Sequence, residues 1–188
     1  ATAHSDFAAG RTSFRNSKFE DAIKAYDRAL AYWKTTQNYH WLALTNLALA
    51  EAYRLANNLE QRKLHLEEVL RITDHGLAPN DWRIKASALN DLGGMNVRSE
   101  QPQIGLAQLN QALSLFAANG DQRGQASTLN NMAVASDRAG DYALAREYIQ
   151  KALDFRLAEN DKPGASGLIN AVAVLYDRVG EPDQALEY

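Results

Sequence analysis

Three asparagines recur at an interval of 40 residues in the second half of the chain: Asn90, Asn130 and Asn170. The amide side chain of asparagine carries both hydrogen-bond donors and an acceptor. A row of such groups can pair with the backbone of an extended peptide, whatever the sequence of that peptide. The same chemistry also suits hydrogen bonds between neighbouring helices. The row is therefore either a peptide contact or a packing device.

Three arginines recur at the same interval, Arg98, Arg138 and Arg178, and Arg15 holds the equivalent place near the start of the chain. A row of guanidinium groups along the edge of a surface could receive acidic side chains or a carboxylate. Cations are also favoured near the C-terminal ends of helices, where they interact with the helix dipole and could pair with Asp137 or Asp177. The sequence leaves both roles open.

The residues of catalytic and metal sites are missing or scattered. The chain has no cysteine, which excludes disulfides, thiol nucleophiles and cysteine-ligated zinc or iron–sulfur sites. Its four histidines do not cluster with carboxylates at metal-ligand spacing, and a single pair such as His65 and Glu68 is not a metal site. There is no glycine-rich phosphate loop and no nucleophile elbow. We therefore expect no enzyme activity, no catalytic residue, no metal and no cofactor.

Charge and hydropathy narrow the class of partner. The chain has 20 basic and 23 acidic residues and a formal net charge of −3, which argues against direct binding of nucleic acid or of an anionic membrane. No apolar run is long enough to insert into a bilayer, and the chain does not begin with a signal sequence. We expect a soluble protein with a protein or peptide partner. The cytoplasm is the favoured location, and the periplasm and secretion stay open.

A sequence repeat positions these residues. The stretch from Ser127 to Leu153 has an earlier copy that begins at Ser87 and a later one that begins at Gly167, each at an interval of 40 residues. Apolar residues at steps of three and four predict amphipathic helices, and a period of this size is typical of stacked helical hairpins. This repeat predicts five helical hairpins, and the last of them is incomplete. Their approximate bounds are residues 4–37, 38–76, 81–119, 121–159 and 161–188. They predict a single all-α repeat domain over residues 1–188. We expect it to be a fragment of a longer protein, with cut ends that could self-associate.

Capping and turn residues indicate the helix boundaries. Asp81, Asp121 and Asp161 each precede a helix, where a carboxylate accepts hydrogen bonds from unpaired amides. They could instead contact a ligand. Gly94 and Gly105 fall inside helices, which we expect each glycine to weaken by about 1 kcal/mol. The predicted hairpin turns contain Ser17, Asn57, Glu100, Gly140 and Gly180.

The pattern resembles the tetratricopeptide repeat. The matching residues of the fourth hairpin are Leu129, Met132, Ala133, Gly140, Tyr142, Ala145, Ile149 and Ala152. The interval of 40 residues is similar to the long-helix subtype, to which kinesin light chains and bacterial peptide-sensing regulators belong. The resemblance implies a right-handed α-solenoid, or superhelix, with a concave groove that binds a peptide.

The resemblance also implies which side chains face the groove. One stripe of the first helix in each hairpin would line it, with Asn130, Val134 and Asp137 in the fourth hairpin. The implied equivalents are Asn90, Gly94 and Val97 in the third hairpin, Asn170, Val174 and Asp177 in the fifth, and Leu44, Leu47, Glu51 and Arg54 in the second.

An apolar patch is predicted at the N-terminal end of the groove. The first hairpin would contribute His4, Phe7, Arg11 and Phe14, and the second would contribute Leu44 and Leu47. If exposed, such a patch would anchor a hydrophobic side chain or an amphipathic helix. Alternatively, a preceding segment of the protein covers it.

The function that these patterns favour is a non-enzymatic scaffold for protein–protein interaction, which binds a peptide or protein segment in its concave groove. A second hypothesis is a ligand-sensing regulatory region of a larger signalling or transcription-regulating multidomain protein. A third is a structural spacer or a self-associating array.

Overall fold

A computed structural model describes residues 2–76, 81–180 and 183 of the chain, and this part contains α-helices and no strand. The helices are α1 (Ala3–Arg15), α2 (Phe19–Thr36), α3 (Tyr39–Leu55), α4 (Leu59–Gly76), α5 (Trp82–Asn96), α6 (Pro102–Ala118), α7 (Gln122–Arg138), α8 (Tyr142–Ala158) and α9 (Lys162–Arg178). Short turns join successive helices into hairpins, so the predicted all-α class is confirmed. The connection at residues 77–80, between the second and third predicted hairpins, lies outside the described residues.

Side-chain caps fix the starts of several helices. The carboxylate of Asp121 accepts a hydrogen bond from the Gly124 amide at 3.0 Å, and that of Asp161 accepts one from the Gly164 amide at 3.1 Å. These two predicted caps are confirmed. The third predicted cap, Asp81, lies before α5 and contacts the imidazole of His40 at 2.8 Å.

Left-handed residues end helices at the predicted turns. The backbone angle φ is 58° at Ser17, 57° at Asn57, 81° at Gly140 and 78° at Gly180. Positive φ costs glycine little, whereas serine and asparagine adopt it less readily. The chain reverses at these positions, which confirms the turn predictions there.

Glycines allow α5 to pack closely against both α6 and α7. A Cβ atom on Gly105 would lie 2.6 Å from the amide nitrogen of Val97 and 2.8 Å from the carbonyl oxygen of Gly93. A Cβ atom on Gly94 would lie 2.9 Å from the side-chain nitrogen of Asn131. A larger residue would push these elements apart. The two glycines that we expected only to weaken their helices therefore also serve packing.

The described chain divides into two compact units, Ala1–Ala88 and Leu89–Tyr188. The core of the first unit contains Ala22, Ala29 and Leu49, and that of the second contains Ala133, Ala145, Ile149, Ala152 and Val172. Alanines inside both cores let helices pack at short distances while the larger residues fill the remaining space.

Candidate functional site

In the second unit, a groove lies between α7 and α9. Its walls are formed by Asn130, Val134 and Asp137 from α7 and by Asn170, Val174 and Arg178 from α9, and Ile149 of α8 also contributes. The cavity has a volume of about 260 Å³. We call it the α7–α9 groove. Six residues that the sequence analysis singled out thus lie together.

The repeat explains why these side chains converge. The caps Asp121 and Asp161 start α7 and α9 at equivalent positions, so residues 130 and 170 occupy the same place along their helices. The neighbouring stripe of α7 is buried, with Leu129 5% exposed and Ala133 1% exposed. Because that stripe packs into the core, the asparagine stripe is left at the groove.

The two groove asparagines retain free hydrogen-bonding capacity. Asn130 is half-buried and Asn170 is exposed, and neither amide side chain forms a hydrogen bond with any residue that the structure describes. Val174 beside them is 53% exposed. The groove therefore combines unpaired amides with an accessible apolar surface.

One end of the groove is closed by an ion pair. Arg178 Nη1 donates to Asp137 Oδ1 at 2.6 Å, which links α9 to α7. This pairing is the structural alternative that the sequence left open for the arginine row. Arg138 is exposed and has no ion pair within the described ranges, while Asp177 is exposed on α9.

The first asparagine of the row has different surroundings. Asn90 is 7% exposed, its Oδ1 accepts a hydrogen bond from Asn131 Nδ2 at 3.1 Å, and its own amide group donates to Ser127 Oγ at 3.4 Å. These bonds join α5 to α7. Asn90 thus makes the inter-helix contacts of the packing alternative, and Asn131 is the partner that the sequence analysis missed.

The rest of the third hairpin also packs instead of lining a groove. Val97 is 1% exposed and belongs to the core, so its predicted groove position is wrong, because Gly105 lets α6 cover it. Arg98 Nη1 donates to the Gly94 carbonyl oxygen at 2.5 Å, and Arg98 Nη2 donates to Asn131 Oδ1 at 3.4 Å. Arg98 therefore completes the α5–α7 contact.

A second groove lies in the first unit, between α1 and α3. We call it the α1–α3 groove; it has a volume of about 370 Å³. Five of the six predicted patch residues line it, and all five come from these two helices: Phe7, Arg11, Phe14, Leu44 and Leu47. The sixth, His4, does not line it. Arg15, the first-hairpin equivalent of the arginine row, and Glu51, which the resemblance assigned to the groove, also line it. Two further lining residues, Tyr26 and Ala48, were missed.

The α1–α3 groove carries an excess of positive charge at its edge. Arg11 and Arg15 are exposed and form no ion pair in the part of the chain that the structure describes. Burial raises the pKa of Tyr26, and the charges of these two arginines oppose that rise. Glu51 is engaged on its own helix, because its carboxylate accepts two hydrogen bonds from Arg54 at 2.7 Å each.

His4 lies in an aromatic cluster beside this groove. Its ring packs edge-on against Trp33 and Trp41, with centroid distances of 4.8 Å in both cases. Trp41 also contacts Phe7 at 5.3 Å. These contacts hold the start of α1 against α2 and α3.

Within the described ranges, no three histidine, aspartate or glutamate side chains are grouped closely enough to hold a metal ion. His65 and Glu68 point to separate partners: His65 Nδ1 bonds to Asn46 Oδ1 at 2.8 Å, and Glu68 pairs with Arg71. None of the described helices has the length and apolar character of a membrane span.

Residues 85–158 match the family model of the tetratricopeptide repeat. This matched segment, which runs from within α5 to the end of α8, is similar in sequence to tetratricopeptide repeats. The resemblance predicted from the residues is therefore confirmed. Tetratricopeptide repeats generally mediate protein–protein interaction and typically act as non-enzymatic scaffolds. A comparison with curated proteins gives no match.

Solved structures share the tetratricopeptide fold. TPR-like repeats assigned to a kinesin light chain of Podosopora anserina are 17% identical, with a TM-score of 0.72 over 98% of this chain and 90% of that one. A Rap protein complexed with Competence and Sporulation Factor is 20% identical, with a TM-score of 0.80 over 97% of this chain and 50% of Rap. A STAND signal transduction ATPase with a tetratricopeptide repeat sensor from Pyrococcus horikoshii is 20% identical, with a TM-score of 0.79 over 99% of this chain and 28% of that one. Identities this low establish the fold alone.

Proposed function

We propose that this chain is a non-enzymatic interaction module that binds an extended segment of a partner protein in the α7–α9 groove. The observation that carries the proposal is the pair of unpaired amides, Asn130 and Asn170, at equivalent positions on α7 and α9. Each can donate to a backbone carbonyl and accept from a backbone amide. Two such groups on one groove hold a peptide main chain at two points.

The other groove residues favour recognition of a polypeptide that tolerates many sequences. Val134 and Val174 offer apolar contact area to its side chains. Asp137 and Arg178 neutralise each other, so this end of the groove attracts neither charge strongly. Affinity should therefore come mainly from main-chain hydrogen bonds and apolar burial.

A random peptide library displayed on phage tests this proposal. Peptides enriched on the wild-type chain should be lost or weakened at least tenfold on Asn130→Ala/Asn170→Ala, because two main-chain contacts disappear. Asn110→Ala is the matched control, since Asn110 is an exposed asparagine on α6 outside the groove. Circular dichroism checks that each variant is folded. Equal enrichment on the wild type and on the double variant would refute the role of the amides.

A ligand-sensing regulatory region is the second candidate function. It is favoured by two of the similar structures, a Rap protein complexed with a factor and a STAND protein with a repeat sensor. In this case a groove peptide would change the activity of another domain of the same polypeptide. The test is to add an enriched peptide to the full-length natural protein and to measure that activity. A response that Asn130→Ala/Asn170→Ala abolishes would favour the sensor over the scaffold.

A further inference from the structure

The α1–α3 groove differs in chemistry from the α7–α9 groove. Its walls are apolar, with Phe7 and Phe14 on α1 facing Leu44 and Leu47 on α3. Phe14, Leu44 and Leu47 are only half-buried, so their apolar surface is accessible from the groove. The cavity of about 370 Å³ is large enough to receive a bulky side chain.

A buried tyrosine places a polar atom at this apolar groove. Tyr26 on α2 is 3% exposed, and its ring lies so close to α1 that a Cβ atom on Gly10 would be 2.5 Å from its Cε1. Tyr26 lines the groove, and its hydroxyl forms no hydrogen bond with the residues that the structure describes. This hydroxyl is not one of the fully enclosed polar atoms that lack a partner, so it is accessible from the groove. A ligand in the groove can accept a hydrogen bond from it.

Two arginines complete the polar side of the groove. Arg11 and Arg15 are four residues apart on α1, so they share one helix face. Both lie on the groove, and neither has a carboxylate partner among the described residues. The acidic residue opposite, Glu51, is already neutralised by Arg54. Two cations next to an apolar cavity in a chain of net charge −3 are suited to an acidic ligand.

We infer that the α1–α3 groove binds a segment of a partner protein in which a large apolar side chain is followed closely by an acidic side chain. The inference rests on the proposed function and adds sequence selectivity to it. The apolar side chain enters between Phe14 and Leu47, and the carboxylate accepts hydrogen bonds from Arg11, Arg15 and the Tyr26 hydroxyl. The groove is open to solvent, which allows a polypeptide to enter and leave it, whereas the alkyl chain of a fatty acid would keep much of its apolar surface in water there.

The test uses the same phage-displayed random peptide library and the charge-reversal variant Arg11→Glu/Arg15→Glu. Peptides selected on the wild type should be enriched in apolar–acidic pairs, and those selected on the variant in apolar–basic pairs. A selected peptide should lose affinity about tenfold or more on the variant and a smaller amount on Tyr26→Phe. The matched control is Lys24→Glu, an exposed charge reversal on α2 that does not line the groove. It should select the same peptides as the wild type.

The inference is overturned if wild-type selection shows no excess of acidic residues, or if charge reversal leaves the selected sequences unchanged. It is also overturned if oleate binds in an Arg11-dependent manner and no apolar–acidic peptide competes with it. Failure of this inference is distinct from failure of the proposed function. Peptides that depend on Asn130 and Asn170 but not on Arg11 and Arg15 would leave the proposed function intact.

Discussion

The guanidinium group of Arg178 on α9 donates to the carboxylate of Asp137 on α7 at 2.6 Å. The repeat makes Arg138 the equivalent of Arg178, yet Arg138 has no ion pair within the described ranges. One arginine of the row therefore links two hairpins while another stays available. Equivalent positions in a repeat do not have to perform equivalent tasks.

The contribution of this ion pair to stability should be small. Asp137 is 24% and Arg178 is 50% exposed, so solvent screens their attraction. A double-mutant cycle with Arg178→Ala and Asp137→Ala should give a coupling energy below about 1 kcal/mol in urea unfolding, and less at high salt. A coupling of more than about 2 kcal/mol would show that the pair behaves as a buried one.

Asn90 and Asn130 offer a matched comparison of packing and surface roles. Asn90→Ala removes side-chain hydrogen bonds that join α5 to α7 and leaves the Asn131 amide group with only the more distant backbone oxygen of residue 90, at 3.5 Å. We expect a loss of about 1–3 kcal/mol in the free energy of unfolding. Asn130→Ala removes no hydrogen bond to a described residue, and we expect a change within about 0.5 kcal/mol. Urea unfolding followed by circular dichroism measures both. Equal effects of the two changes would contradict this assignment.

Gly10 and Gly167 are both helix residues, but substitution should affect them in opposite directions. A Cβ atom on Gly10 would clash with the Tyr26 ring at 2.5 Å, whereas one on Gly167 would meet nothing within 4 Å. Gly10→Ala should therefore lower the free energy of unfolding by about 1–3 kcal/mol despite its better helix propensity. Gly167→Ala should raise it by up to about 1 kcal/mol. Thermal unfolding of the two variants provides the measurement. Stabilisation by Gly10→Ala would show that the ring can move aside.

Acidification should weaken the first unit through His65. Burial lowers the pKa of His65, against the opposing charges of Asp27 and Glu68, while Lys34 lowers it further. The unfolded chain then binds this proton more readily than the folded chain. The contribution of His65 to stability is therefore complete above the unfolded pKa of about 6.5 and decreases as the pH falls below it.

A comparison of the wild type with His65→Gln tests this dependence. The free energy of unfolding of the wild type should fall between about pH 7.5 and about pH 5.5, and the variant should lose part of that fall. An NMR titration of the imidazole gives the pKa directly. A value above that of a free histidine would reverse the predicted sign.

The repeat interval was sufficient to predict the helices, the caps at Asp121 and Asp161, and the meeting of Asn130 with Asn170. These features depend on local residue types and on a register that the interval sets. The α1–α3 groove was also predicted in its apolar members, because Phe14 and Leu47 lie on helix faces that periodicity identifies.

Other features depend on contacts that no periodicity contains. Asn90 has the same repeat position as Asn130, but the small Gly94 allows Asn131 to reach it, and the amide becomes buried. Tyr26 belongs to a buried helix stripe, and its place at the groove follows from the missing side chain of Gly10. Both outcomes follow from the space that a glycine on a neighbouring helix leaves.

The aromatic cluster around His4 has a practical consequence for spectroscopy. The chain has three tryptophans, Trp33, Trp41 and Trp82, and all of them fall in the unit Ala1–Ala88. Tryptophan emission therefore reports that unit alone, whereas far-ultraviolet ellipticity reports helices of both units. If the two signals are lost at the same denaturant concentration, the repeats unfold cooperatively. If they separate, the unit that contains the tryptophans and the other helices unfold in distinct steps, and a single free energy of unfolding no longer describes the chain.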